Sequence, residues 1–236
     1  MDHTFKLPPR LAAIAALVPD GARLADVGTD HALLPIRLLL DGKIQRAVAT
    51  DIRPGPLSRA KENACAAGVQ DLSCVLCDGL TGVSPDSVDT VVIAGMGGAL
   101  TIKILEAGKD VLSSVQELIL QPQSEIDKVR LYLLTHGYAI TGEKMVFEDG
   151  KYYPAMRAVH GEMPLWQDVE LQYGKYLLEE KHPVLQEYLK EKEKTCKKIQ
   201  EKLAADGKKA EKITARQKEL EDELRLIGQA LEVYER

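Results

Sequence analysis

Up to about residue 135, short apolar runs rich in β-branched residues alternate with stretches of helical periodicity. Arg23–Val27, Arg46–Asp51, Leu72–Cys77, Val88–Ala94 and Glu117–Leu120 read as strands, each bounded by turn residues. Between them, Leu33–Leu40, Pro56–Ala67, Leu100–Ala107 and Glu125–His136 place apolar side chains at helical spacing. Such alternation predicts a parallel sheet with helices on both faces, because strands that are apolar throughout must bury both sides. The pattern then changes. Tyr138–Val146 and Lys151–Val159 are strand-like runs flanking "FEDGKYY", in which Asp149-Gly150 is a two-residue hairpin turn. The expected sheet is therefore mostly parallel and is finished by an antiparallel hairpin.

From Pro164 onward glycine nearly vanishes, and Lys, Glu and Leu dominate. Leu220, Leu224, Ile227, Leu231 and Tyr234 step by four and three, while Leu189, Cys196 and Leu203 recur every seven with Leu185 and Ile199 beside them. The stretch "ADGKKAE" (205–211) interrupts the two runs. An antiparallel helical hairpin with a coiled-coil-like seam is expected, folded within one chain, and with it a monomer. At the other end, "LAAIAALV" sets Leu11, Ile14, Leu17 and Val18 on one helix face. Lys6 and Arg10 precede it as in a signal peptide, but it runs through Pro19-Asp20-Gly21 directly into the first strand. A short amphipathic helix and a cytoplasmic protein are expected. No apolar run approaches the roughly 18 residues of a membrane span.

Composition changes the picture only locally. The 236 residues are 45% hydrophobic, enough for a substantial core. Residues 151–236 balance 17 basic against 17 acidic side chains, so the net charge of −5 resides in residues 1–150. Within the tail, however, Lys181 to Lys218 holds twelve basic residues against six acidic ones. Lys197, Lys198, Lys208 and Lys209 fall in that stretch. They offer phosphate contacts, or alternatively the solvated face of a Lys/Glu-rich helix. The four cysteines are too few for a disulfide framework. Cys74-x-x-Cys77 lies in an expected strand with no second pair nearby, so buried reduced thiols are expected and no metal.

The candidate chemistry begins with "LADVGTDHALLPI" (24–36), which opens like a nucleotide-binding strand–turn–helix. Where a dinucleotide loop would carry its second glycine, this chain has Asp30. A carboxylate about 4 Å from a pyrophosphate costs about 4 kcal/mol at an effective dielectric near 20. S-adenosylmethionine reverses that sign, having no phosphate and carrying a sulfonium and an ammonium that Asp26 and Asp30 would attract. Asp51, followed by Ile52, ends the second expected strand 23 residues past Gly28, where a carboxylate can accept both ribose hydroxyls. Asp78, in Asp78-Gly79, ends the third and could meet an adenine amino group. Singly, each acid has a plainer reading as a cap or turn. Three at successive strand ends point to a cofactor rim. The fourth strand leads into Gly95-Met96-Gly97-Gly98, which permits close backbone approach to an acceptor or simply a tight turn.

A parallel sheet closed by a hairpin is similar to class I methyltransferases rather than to dinucleotide dehydrogenases. The segments "ADVGTDHALLPI", "ATDIRPGPLSRA", "CDGL", "VIAGMGG" and "LILQPQ" together resemble the bacterial tRNA (adenine(22)-N(1))-methyltransferase family. The resemblance runs in order to about residue 159, and the lysine-rich tail is also similar. It implies an α/β, Rossmann-like methyltransferase domain over residues 1–160 and a helical coiled-coil-like domain over 161–236 serving as a tRNA-binding arm. It further implies S-adenosylmethionine as donor and N1 of adenosine 22, in the D-arm region of tRNA, as acceptor. Asp26, Gly28, Asp30, Asp51, Ile52, Asp78, Gly79, Gly95 and Met96 are then expected to hold the donor. Gly97, Gly98, Tyr152, Tyr153 and the four named lysines are expected to contact RNA.

Adenine N1 has an in-plane lone pair, so positioning and electrostatics should suffice without a strong base. Asp30 and His31 are the catalytic candidates, although His31 equally suits anchoring the first loop. Tyr152 and Tyr153 follow the hairpin turn and could stack on a base, or one could face the core. Two rival readings stay open at this point. One is a methyltransferase for a small molecule or protein; the other is a non-catalytic RNA-binding protein with a degenerate cofactor fold.

Overall fold

Strand β1 (Ala22–Val27) is apolar on both sides because it lies inside the sheet, where Leu24 and Ala25 are fully buried. In the computed structural model, which describes residues 5–205 and 211–236, it pairs in parallel with β2 (Ile44–Asp51) and β4 (Thr90–Met96). β3 (Leu72–Leu76) flanks β2, β5 (Glu117–Pro122) flanks β4, and the hairpin β6 (Tyr138–Glu148) and β7 (Lys151–His160) closes the sheet in the order β3-β2-β1-β4-β5-β7-β6. β7 runs antiparallel to both neighbours. The turn works because Asp149 and Gly150 both take positive φ (49° and 76°), the twist that matches two flanking strands. Strand order reverses between β1 and β4, the topological position where open α/β sheets leave a crevice beyond their strand ends.

The covering helices are α1 (Pro9–Leu17), α2 (Leu33–Leu40), α3 (Pro54–Ala66), α4 (Gly98–Ala107), α5 (Lys109–Leu112) and α6 (Ile126–Thr135). Ile14 and Val18 from the N-terminal segment pack with Leu24, Leu34, Leu38, Ile44, Val92 and Ile119 in one core. Side chains of this size contribute about 1.5–3 kcal/mol each on full burial. Ile36, Ala49, Ala60 and Ala64 join Phe5 in a second cluster. Arg130 and Glu143 form a buried ion pair at 2.8 Å that ties α6 to β6.

The expected strands and helices of this unit are present with shifted ends. β3 stops at Leu76, and α4 starts two residues early, its first turn built from the glycine run. The cysteine reading needs correction. Of the four free thiols only Cys196 is buried, Cys65 is exposed, and Cys74 and Cys77 are half-buried. β3 is an edge strand, so its side chains keep partial access to solvent.

The chain divides into two compact units between Leu165 and Trp166. The second unit begins with two short helices that periodicity does not reveal, α7 (Asp168–Tyr173) and α8 (Lys175–Glu179). It continues with α9 (Pro183–Ala205) and α10 (Glu211–Glu235), which pack against each other. Leu185, Leu189 and Cys196 of α9 are buried, as are Leu220, Ile227 and Ala230 of α10. Leu224 and Leu231 are only half-buried. The seam instead admits Glu223, whose carboxylate meets Lys192 of α9 at 2.6 Å.

Candidate active site

A cavity of about 880 Å³ lies at the carboxyl ends of the strands. Asp26, Asp51 and Asp78 all line it, each placed by a different strand end: β1, β2 and the turn beyond β3. Asp26 is 8% exposed. Burial pushes its carboxyl up to about 6, against a lowering hydrogen bond donated by Thr29 Oγ1 at 2.6 Å. A desolvated carboxyl at the edge of a cavity favours an organic cation, which would return it to the charged form. Asp51 is 7% exposed, lines the cavity and accepts the backbone N–H of Arg53 at 2.7 Å with Oδ1. Asp78 is exposed, with Lys103 Nζ 4.0 Å away.

Hydrogen bonds and positive-φ residues shape the loop after β1. Gly28 (φ +70°) and Thr29 both donate their N–H groups to the Thr50 carbonyl of β2 at 2.8 and 2.9 Å. A Cβ at Gly28 would fall 2.0 Å from the Met96 methyl group, so glycine lets β4's end approach β1's. His31 and Ala32 then adopt left-handed φ values of 63° and 54°, uncommon for residues with a Cβ. Asn63 of α3 secures the kink by donating to the His31 carbonyl at 2.9 Å. The His31 ring meets Asp30 Oδ1 at 3.2 Å.

Gly28, Asp30, Ile52, Gly79, Gly95, Met96 and Tyr153 line the same cavity as the three strand-end acids. Leaving aside the tail lysines, four expected residues do not line it. His31 is one of them, its ring set against the Asp30 carboxylate instead. Tyr152 packs its ring against Phe147 across the hairpin, 4.7 Å between centroids. Gly97 and Gly98 are committed to the start of α4: the Gly97 carbonyl accepts from Thr101, and Gly98 N–H donates to the Ser124 carbonyl at 3.0 Å. Gly97 and Gly98 thus serve the entry into α4 rather than lining the cavity. Among the lysines, Lys197 pairs with Glu193 at 2.6 Å and Lys198 is exposed. Lys208 and Lys209 lie outside the described residues.

Sequence reasoning passed over Thr29, Arg53, Arg10 and Gln123, which also line the cavity. The first two adjoin residues already singled out, and Gln123 ends the quoted "LILQPQ". Arg10 carried no local signal; α1 brings it there, held by Glu148 of β6. Among the described residues, no group of three or more His, Cys, Asp or Glu is placed to hold a metal ion, and no helix is long and apolar enough to cross a membrane.

A mostly parallel sheet with a hairpin finish, and three carboxylates gathered on one cavity at the strand ends, define a class I S-adenosylmethionine-dependent methyltransferase. The sequence model of one such family, tRNA (adenine(22)-N(1))-methyltransferase, matches residues 24–229. The chain belongs to that family. The Bacillus subtilis tRNA (adenine(22)-N(1))-methyltransferase is 36% identical over 239 residues, covering 98% of this chain and 99% of that one. A Streptococcus pneumoniae structure in complex with S-adenosyl-L-methionine aligns with TM-score 0.85 at 32% identity, over 96% of this chain and 100% of the other. The Mycoplasma capricolum relative, "M. capricolum TrmK", in complex with S-adenosyl-homocysteine, aligns at 0.82 with 25% identity, over 96% and 98%.

Proposed function

We infer that this protein transfers the methyl group of S-adenosylmethionine to N1 of the adenosine at position 22 of tRNA. One observation carries the reading: three acids from successive strand ends converge on one cavity, with Asp26 buried and paired with no cation among the described residues. When bound, S-adenosylmethionine supplies a methyl group on a positively charged sulfur, which adenine N1 takes with its in-plane lone pair. Asp26 would hold the ammonium end, Asp51 the ribose hydroxyls and Asp78 the adenine amino group, with exposed Ile52 as an apolar edge for the base. Asp30 faces the cavity and stabilises positive charge there. His31 acts through Asp30 as a positioning residue.

The basic surface of the helical unit is the docking arm for tRNA phosphates in this reading, with exposed Lys198 as its described example. The protein acts as a monomer, since the seam of α9 and α10 is satisfied within the chain. The test is direct. Unmodified tRNA is incubated with labelled donor, digested, and the methylated nucleoside identified by mass spectrometry, with protein extract as the competing acceptor. N1-methyladenosine at position 22 is expected; label in protein, or in another nucleoside, overturns the reading.

A further inference from the structure

The cavity has two halves set by strand order. β1, β2 and the turn after β3 supply the three carboxylates, whereas β4, β5, β7 and α1 supply Gly95, Gln123, Tyr153 and Arg10. The donor's charges and hydroxyls belong with the acids. The second half, with an aromatic ring from Tyr153 and apolar Leu100, is left for a planar acceptor.

Within that half, Gln123 is distinctive. It follows β5 directly, and its backbone N–H is spent on the Met96 carbonyl at 2.8 Å, which fixes where the side chain begins. Its amide nitrogen lies 3.8 Å from where a Gly95 Cβ would stand, so the amide lies over the bare backbone of the β4 end. Gln123 is exposed and lines the cavity, and its side-chain amide has no hydrogen-bond partner among the described residues.

We propose that Gln123 is the adenine-reading residue, binding the Hoogsteen edge of the target base with its side-chain amide. This rests on the adenosine acceptor inferred above. An adenine offers N6–H as donor and N7 as acceptor on that edge, and a glutamine amide matches both in a bidentate pair. The match leaves N1, on the Watson–Crick edge, unobstructed. An amide bound to N1 itself would occupy the lone pair that must attack. Guanine presents O6 and N7, two acceptors, and sets the amide carbonyl against O6; its N1 also carries a proton. Gln123 therefore couples base choice to orientation of the nucleophile.

The experiment uses the full chain and tRNA carrying either adenosine or 7-deazaadenosine at position 22, the latter replacing the N7 acceptor by C–H. For the unaltered protein, 7-deaza substitution should lower kcat/KM roughly five- to a hundredfold, the range for losing one good base contact. Gln123→Ala should lose a similar factor on ordinary tRNA and be indifferent to the 7-deaza change. Gln123→Glu sets a carboxylate against N7, so it should reverse the preference and methylate 7-deaza tRNA at least as fast as ordinary tRNA. Calorimetric affinity for S-adenosylmethionine should stay the same in both variants. A structural role for Gln123 would not reverse a preference between two acceptors. An unaltered protein indifferent to 7-deaza substitution, or a Gln123→Ala variant that still responds to it, overturns the proposal. Failure of the unaltered protein to methylate ordinary tRNA overturns the function itself, and the proposal with it.

Discussion

Asp26 shows how a single residue links function to stability. Its carboxyl stands about two pH units above its ordinary value of 3.8, at about 6, because β1 buries it. A raised acid destabilises the folded state when ionised, by about 3 kcal/mol here. The sign follows from linkage. Below pH 4 both folded and unfolded chains hold the proton and no cost exists; it grows between pH 4 and 6 and is complete above. Asp26→Asn should therefore raise the free energy of unfolding by up to about 3 kcal/mol at pH 8 and by little at pH 4, while weakening donor binding. Denaturant titrations at the two pH values check this, and equal gains at both would remove the linkage. In the unaltered protein, donor affinity should also fall as pH drops through 6, by up to tenfold per unit, as Asp26 becomes neutral. Asp30 offers a second test. If its charge serves the sulfonium, Asp30→Asn should weaken binding of S-adenosylmethionine more than that of neutral-sulfur S-adenosylhomocysteine, as measured by calorimetry. Equal losses would assign Asp30 to loop geometry alone.

At the scale of elements, the glycine run at the end of β4 was legible as special but not in its purpose. Gly95 and Met96 face the cavity, while Gly97 and Gly98 begin α4, because a Cβ at Gly98 would fall 2.6 Å from the Ser124 carbonyl and 2.8 Å from that of Glu125. Backbone oxygens cannot swing aside as side chains can. Gly98→Ala should thus destabilise the fold by about 1–3 kcal/mol despite alanine's better helix propensity, read as a lowered Tm with donor affinity largely kept. An unchanged Tm would mean the α4 start can shift freely. The helical seam teaches a related lesson. Leucine spacing located α10, yet Leu224 and Leu231 are half-buried while Ala230 is buried and Glu223 meets Lys192. Steps of four and three are satisfied by either side of a stripe, and only the partner helix decides which side faces in.

For the whole molecule, each unit has its own buried core, and every residue proposed to hold the donor precedes residue 100. Removing residues 166–236 should leave a folded unit with intact donor affinity but little methylation of tRNA, since it confronts a polyanion with a net-acidic surface. Reversing Lys197, Lys198, Lys208 and Lys209 to Glu should weaken tRNA binding and flatten its salt dependence, with donor affinity unchanged. Filter binding over a salt series measures both. A truncated protein that methylates tRNA at the full rate would assign docking to the first unit.

What the sequence by itself determined is local in its physics. Alternating apolar runs predicted a buried parallel sheet, Asp149-Gly150 predicted a hairpin, and Asp30 in the place of a loop glycine argued against a pyrophosphate, since each depends on residues adjacent in the chain. Tertiary structure decided what depends on distant partners. It brought Arg10 of α1 and Tyr153 of β7 into one cavity, buried Asp26 enough to raise its pKa, and tied the His31 carbonyl to Asn63 of α3. It also divided the glycine run between cavity and helix. No periodicity encodes these meetings, because they arise from the order in which the strands assemble and from the space that remains between their ends.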